Sequence, residues 1–209
     1  MAPASVLTLL VADDHPVVRE GIVAILNRQS DMKVVGEAED GMQAVELYRR
    51  LRPEVVILDL RMPKLSGLAV TESIRHEFPD AKIMVLTTFD GDEDIYRALK
   101  AGARAYLLKD TSREELLATV RAVAAGLRHI PPAVAGRLAQ RVETAALTAR
   151  EHQILTLIVG GRANKQIAAE LGISEGTVKT HVNSLLTKLG ASDRTEAAVA
   201  AIKRGLVHT

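Results

Sequence analysis

Residues 55–67, VVILDLRMPKLSG, decide how the chain is read. Val55–Leu58 form an unbroken apolar run that stops on Asp59, and Arg61, Pro63, Ser66 and Gly67 then mark a turn. A short apolar run followed by turn signals suits a strand covered on both faces, as in a parallel sheet. Asp59 would then stand at the strand's carboxyl end, where open α/β sheets place their chemistry. Taken alone, such an aspartate is more often just the first residue of a loop. Only companions elsewhere in the chain can give it a chemical role.

Outward from this run the pattern repeats. Val6–Ala12 reads as a buried strand closed by Asp13, Asp14, His15 and Pro16, and Pro16 opens an apolar-periodic helix. Lys33–Ala38 is a second strand, and the helix from Gly41 to about Leu51 stops before Pro53. Gly67–His76 is helical, and Ile83–Leu86 is a strand ending in Thr87 and Thr88. Asp92–Ala101 is helical, Ala105–Leu108 is a fifth strand ending in Lys109 and Asp110, and Ser112 caps a last helix that ends near Gly126. Gly36, Gly41 and Gly67 are isolated and read as turns. Five strand–helix units predict a doubly wound, five-stranded parallel sheet of the flavodoxin-like kind.

Composition sets the limits. The 209 residues allow one large domain or two smaller ones. There is no cysteine, which excludes disulfide and thiolate chemistry and fits a cytoplasmic protein. The N-terminus, MAPASVLTLLVADDH, has no basic flank, so neither a signal peptide nor a membrane span is expected. Aromatic residues make up 2%, too few for a platform that stacks single-stranded nucleic acid. Charge is asymmetric: residues 1–125 hold 16 Lys and Arg against 20 Asp and Glu, and residues 126–209 hold 11 against 6. An acidic front and a basic back point to two modules with different partners.

Asp13, Asp14 and Asp59 at neighbouring strand ends would repel one another unless a cation cancels their charge. Mg²⁺ accepts carboxylates together with waters and a phosphoryl oxygen, and Mn²⁺ would serve similarly. Lys109 and Thr87, at two further strand ends, supply a point charge and a hydroxyl to an anion bound there. This set suits phosphoryl transfer onto Asp59. No Gly-rich nucleotide loop is present for a kinase or ATPase. A metal-dependent hydrolase or a glycosidase-type acid pair leaves Lys109 and Thr87 without a task.

On these residues, residues 1–126 resemble the receiver domain of a two-component response regulator. The matches are Asp13 and Asp14, the D-x-x-M-P-x-x-x-G loop of Asp59, Met62, Pro63 and Gly67, and Thr87, Tyr106 and Lys109. The resemblance implies that Asp59 takes a phosphoryl group from a sensor histidine kinase, with Mg²⁺ held by the acids and the backbone carbonyl of Arg61. It implies that Thr87 and Tyr106 form a switch pair reshaping the face around the fourth helix and fifth strand, and that no outside substrate is turned over. From its residues alone, Tyr106 is a packing residue. Many receivers carry proline after the lysine, where this chain has Asp110.

Residues 127–144, with Pro131 and Pro132, read as a linker that turns partly helical after the prolines. From Leu147 the pattern is all-helical: Arg150–Val159, Lys165–Leu171, Thr177–Leu189 and Arg194–Arg204. In KQIAAELGISEGTVKTHV (165–182), Ala168 is small at a helix crossing, Gly172 makes the turn, Ile173 and Val178 plug the core, and Ser174 or Glu175 caps the second helix. A helix-turn-helix of this kind docks in a major groove, although a helical protein–protein or RNA-binding module fits the short pattern equally well.

Residues 145–209 resemble the LuxR-type DNA-binding domain over their whole length, through Leu147-Thr148-x-Arg150-Glu151, Asn164-Lys165-x-Ile167-Ala168, Thr177-Val178-Lys179-x-His181 and Arg194-Thr195-Glu196-Ala197. The resemblance implies that Lys179, Thr180 and Asn183 read the groove. Thr148, Lys165, Thr177, His181 and Lys188 are then candidates for phosphate contacts, with His181 equally suited to packing. It implies promoter DNA as ligand, dimers formed through the receiver face or through helix 194–204, and RNA polymerase as a further partner. Together the two resemblances describe a regulator of the NarL/FixJ class.

Overall fold

The computed structural model describes residues 6–88, 91–130, 135 and 147–207. Most of the expected linker, including its helical turn after the prolines, lies outside the described residues. No helix among the described residues is long and apolar enough to cross a membrane. The chain divides into two compact units.

In the first unit, β1 (Leu7–Ala12), β2 (Met32–Ala38), β3 (Val55–Leu58), β4 (Ile83–Thr87) and β5 (Ala105–Leu108) form one all-parallel sheet in the order β2-β1-β3-β4-β5. They alternate with α1 (Pro16–Asn27), α2 (Gly41–Leu51), α3 (Gly67–Glu77), α4 (Asp92–Ala101) and α5 (Arg113–Ala124). All four residues of β3 are buried, as a central strand covered on both faces requires. Their side chains divide between two cores. Val55 and Ile57 pack with Ile22 and Leu26 of α1 and with Leu116 and Val120 of α5. Val56 and Leu58 pack with Ala44 and Tyr48 of α2 and with Val70 and Ile74 of α3. Burial of each such side chain contributes roughly 1.5–3 kcal/mol. The apolar run therefore fixes both where β3 sits and where it must end.

Strand order reverses between β1 and β3, and this is the crevice where open α/β sheets bind their ligands. Asp13 follows β1 and Asp59 follows β3 across that crevice, with the Asp59 amide donating to the Ala12 carbonyl at 2.9 Å. One expectation is corrected. Gly36 is no turn but lies within β2, where the register against β1 slips between Leu9 and Leu10. A Cβ at Gly36 would come 2.7 Å from the Leu51 side chain, so glycine fits an irregular strand position pressed against a helix.

The second unit holds α6 (Ala149–Val159), α7 (Asn164–Leu171), α8 (Glu175–Leu189) and α9 (Arg194–Lys203) around a core of Ile154, Leu155, Ile167, Val178, Leu185 and Ala201. Gly172 ends α7 in the left-handed conformation (φ 64°), and the Ser174 hydroxyl accepts from the Thr177 amide to start α8. The Arg150 guanidinium donates to the Leu171 carbonyl at 2.9 Å, fastening α6 to the turn between the two helices.

Candidate functional site

At the carboxyl edge of the sheet, Asp13 and Asp59 are each only 2% exposed. Lys109 reaches both from the end of β5, with Nζ 2.5 Å from Asp59 Oδ2 and 2.8 Å from Asp13 Oδ2. Burial by itself would lower the pKa of the Lys109 ammonium, but its hydrogen bonds to Asp13 and Asp59 outweigh that cost and the net shift is upward. One lysine thus cancels about one charge of an acid cluster that also contains Asp14. Ligand atoms of Asp13, Asp14, His15 and Asp59 lie within 4.8 Å of one another, a group able to hold a divalent cation. Asp14 Oδ1 is buried and makes no hydrogen bond among the described residues, which fits a cation at that point. Lys109 covers Oδ2 of Asp13 and of Asp59, so an ion would meet their Oδ1 atoms, which also accept from the His15 and Arg61 amides.

Thr87, at the end of β4, is fully buried, and its carbonyl accepts from the Lys109 amide at 2.9 Å. Tyr106 is also fully buried, paired in register with Val85 of β4. Arg61 is half-buried, and its amide lies 3.5 Å from Asp59 Oδ1.

The loop from β3 to α3 is held down on this site. Lys64, in the left-handed region at φ 65°, places Nζ 2.5 Å from Asp40 Oδ2 at the start of α2. That bond, with the Gln43 amide, holds the Asp40 carboxyl below the usual carboxylate range. The Gly67 amide donates to the Leu60 carbonyl at 2.8 Å, and Ser66 caps α3. Gly41 and Gly67 open helices and allow close packing here. A Cβ would fall 1.9 Å from the Leu65 carbonyl oxygen at Gly41 and 2.0 Å from the Asp59 carbonyl oxygen at Gly67. The oxygen at Gly67 belongs to backbone that cannot swing aside. Gly67→Ala is therefore expected to cost the first unit about 3 kcal/mol, read as a lower urea midpoint by circular dichroism. An unchanged midpoint would show that the loop yields freely.

In the helical unit, Lys179, Thr180 and Asn183 stand exposed on α8, spaced to share one face. Lys165 on α7 is exposed, as are Thr148 and Thr177, while His181 is half-buried. Thr148 caps α6 and Thr177 shares its hydroxyl with Ser174 at 2.8 Å. Lys188 is placed differently from the other candidates. Its ammonium is 2.7 Å from Glu151 Oε2.

Glu151 stands in the motif that begins at Leu147, but sequence reasoning assigned it no role of its own. It is 3% exposed and completes a capping box with Thr148 at the start of α6. The same carboxylate accepts from Ser184 Oγ at 2.7 Å and from Lys188, so it fastens α6 to the far half of α8. The T-x-x-E spacing at Thr148 was the available signal. Burial alone would raise its pKa, but the Lys188, Ser184 and Thr148 hydrogen bonds lower it from 4.5 to about 2. A carboxyl depressed on folding contributes stability above its unfolded pKa and loses it as pH falls through the folded value. The expected contribution is about 3 kcal/mol, lost between pH 4.5 and about 2. Hydrogen exchange at α6 and α8 amides over that range measures it, and Glu151→Gln should flatten the profile.

The comparisons with known proteins agree with this division. Residues 9–121 match the response regulator receiver domain, and residues 145–201 match the bacterial regulatory proteins of the luxR family. The chain is 41% identical to the transcriptional regulatory protein LiaR of Bacillus subtilis, over 97% of this chain and 100% of LiaR. It is similar to the crystal structure of ChrA, a response regulator of a heme-sensing two-component system, with 40% identity, a TM-score of 0.59, and coverage of 97% and 99%. It is also similar to the response regulator RcsB solved in complex with DNA, with 26% identity, a TM-score of 0.73, and coverage of 95% and 99%. The receiver here is a regulatory input and not an enzyme for outside substrates. With both modules matched and a relative aligned along nearly its whole length, this chain belongs to the two-component response regulators that join a receiver to a LuxR-type helix-turn-helix domain and regulate transcription through phosphorylation-dependent DNA binding.

Proposed function

We propose that Asp59 is the phosphoryl acceptor and that its modification controls how two copies of the chain bind promoter DNA. The observation that carries this reading is the buried Asp13–Lys109–Asp59 arrangement at the sheet's reversal point. The donor is the phosphohistidine of a sensor kinase. A carboxylate oxygen of Asp59 attacks phosphorus, the P–N bond breaks, and the departing imidazole takes a proton, leaving an acyl phosphate on Asp59. Lys109 already orients Asp59 and moves its charge to a phosphoryl oxygen, and Thr87 supplies a hydroxyl to another. Asp13, Asp14, Asp59 and the Arg61 carbonyl would hold Mg²⁺, or Mn²⁺ in its place. Such an ion, when bound, supplies positive charge to the transferring oxygens. Thr87 and Tyr106 form the switch pair, a reading supported by the burial of both side chains on the neighbouring strands β4 and β5.

Residues 1–126 form the receiver, 127–144 the linker and 145–209 the DNA-binding domain. Lys179, Thr180 and Asn183 on α8 meet base edges, while Lys165, Thr148, Thr177 and His181 lie toward phosphates. Lys188 is a positioning residue whose charge is spent on Glu151. Dimers form through the receiver face, through α9, or both, and two-fold symmetry makes the DNA site a near-palindrome. The cytoplasm, where promoter DNA and RNA polymerase are met, is the place of action.

A gel-shift comparison tests this reading. Protein treated with an acyl phosphate and Mg²⁺ should retard its own promoter at lower concentration than untreated protein. Absence of any shift in both states at low salt would sink the proposal.

A further inference from the structure

We propose that His15 turns the acceptor site into a second kind of metal site, one that takes a transition-metal ion such as Zn²⁺ and closes Asp59 to phosphoryl transfer. The inference rests on the reading of the same acids as a Mg²⁺ site. Four observations support it.

First, His15 occupies the N-cap position of α1 yet makes no side-chain capping bond, so its imidazole is not committed to the helix. Second, the ring faces the acids instead: Nδ1 lies 2.9 Å from Asp14 Oδ1 and 3.3 Å from Asp13 Oδ1. The His15 amide donates to Asp13 Oδ1 at 3.0 Å, which turns the backbone so that the ring folds back over the acid pair. Third, the side chain is 65% exposed, and it can adjust by rotation without disturbing the core. Fourth, Asp14 Oδ1 is buried and makes no hydrogen bond among the described residues, and the His15 ring nitrogen stands 2.9 Å from it, so both atoms can turn to one ion.

Lys109 holds Oδ2 of both Asp13 and Asp59, which still leaves an oxygen of each of the three carboxylates and one imidazole nitrogen to face the same point. Metal chemistry divides this donor set in two. Mg²⁺ takes oxygen ligands and keeps several waters, so it has no use for the imidazole and leaves room for a phosphoryl oxygen. Zn²⁺, Co²⁺ and Ni²⁺ bind imidazole well and follow the Irving–Williams order over the harder ions. Four protein donors complete the usual coordination of Zn²⁺, and a site with all four positions filled is closed to exchange. With His15 as the fourth donor, no position on the ion remains for the incoming phosphoryl oxygen, so the ion can no longer offset the charge that gathers there during transfer to Asp59. The bonds from Lys109 to Asp13 and Asp59 would orient those ligands, as outer partners commonly do. His15 thereby makes phosphoryl acceptance sensitive to which divalent metal is present.

The test uses full-length, tag-free protein and Co²⁺ as a spectroscopic stand-in for Zn²⁺. Wild type should show a visible Co²⁺ absorption of the intense, four-coordinate kind that added Zn²⁺ bleaches. His15→Gln should lose that absorption and bind Zn²⁺ at least about tenfold more weakly. Zn²⁺ should also slow phosphoryl uptake from an acyl phosphate in wild type and have little effect in His15→Gln. Any Co²⁺ held at other histidines persists in the variant and cancels in the difference spectrum. A separate Mg²⁺ titration by calorimetry distinguishes the two readings. If Mg²⁺ binds wild type but Co²⁺ and Zn²⁺ binding is the same in His15→Gln, the proposal is overturned and the Mg²⁺ site stands. If no divalent ion binds wild type, both fall.

Discussion

Asp59→Asn should reduce phosphoryl incorporation from an acyl phosphate to the level of a blank, while the receiver stays folded. The acceptor oxygen is the nucleophile, and an amide cannot replace it. The shape of the side chain is retained, and the Asp59 amide bond to the Ala12 carbonyl does not depend on it. Lys109 keeps its 2.8 Å bond to Asp13, and the asparagine oxygen can still accept from Lys109. Intact-mass spectrometry reads the incorporation, and circular dichroism shows whether the fold persists. Incorporation in the variant at the wild-type level would move the acceptor elsewhere, with Asp13 and Asp14 the first candidates.

The second large effect is expected on DNA. Lys179→Ala and Asn183→Ala should each weaken binding to the specific site by about 5- to 150-fold, the range of about 1–3 kcal/mol expected for a base contact. A receiver-controlled protein–protein or RNA-binding module predicts no change. Salt dependence separates the roles of the lysines. Loss of a lysine that meets phosphate lowers the slope of log affinity against log salt by about 1. The paired variant Glu151→Gln with Lys188→Met should leave that slope unchanged, because the Lys188 charge is already neutralised inside the domain. Both partners are replaced so that neither charge is left buried alone, a change that would cost far more than removal of the pair. A slope reduced by about 1 in the paired variant would return Lys188 to the phosphate contacts.

The parts of this molecule legible in its sequence share a physical cause. β3 is four consecutive buried residues, so the strand, its end and Asp59 all follow from one apolar run. The helices of the second unit could be placed because Gly172 and Gly190 sit in left-handed backbone and Ser174 accepts a capping bond, each a local signal. What escaped were side chains whose partners come from distant segments. Lys188 meets Glu151 across 37 positions, so the sequence showed an exposed-looking lysine where the fold makes a half-buried lysine paired to a buried carboxylate. His15 was read as part of a strand-closing cluster, since nothing in its spacing reveals that its ring turns from the helix toward the acids. Gly41 and Gly67 looked like ordinary turn residues. Their need for glycine comes from carbonyl oxygens of Leu65 and Asp59 that approach within 2.0 Å of any added Cβ, a contact made only after the loop has closed. Gly36 misled for the opposite reason, because an isolated glycine in a strand marks a bulge as readily as a turn.

The link between Asp59 and DNA is the central claim, and one measurement tests it most directly. Fluorescence anisotropy gives the Kd of the full chain for its promoter, with and without acyl phosphate and Mg²⁺, for wild type and for Asp59→Asn. Phosphorylating conditions should tighten binding by wild type by about 5-fold or more, the lower end of typical coupling between sites, and leave the variant unchanged. Equal tightening in both proteins would contradict the account, because the signal would then reach the DNA-binding helices without passing through Asp59.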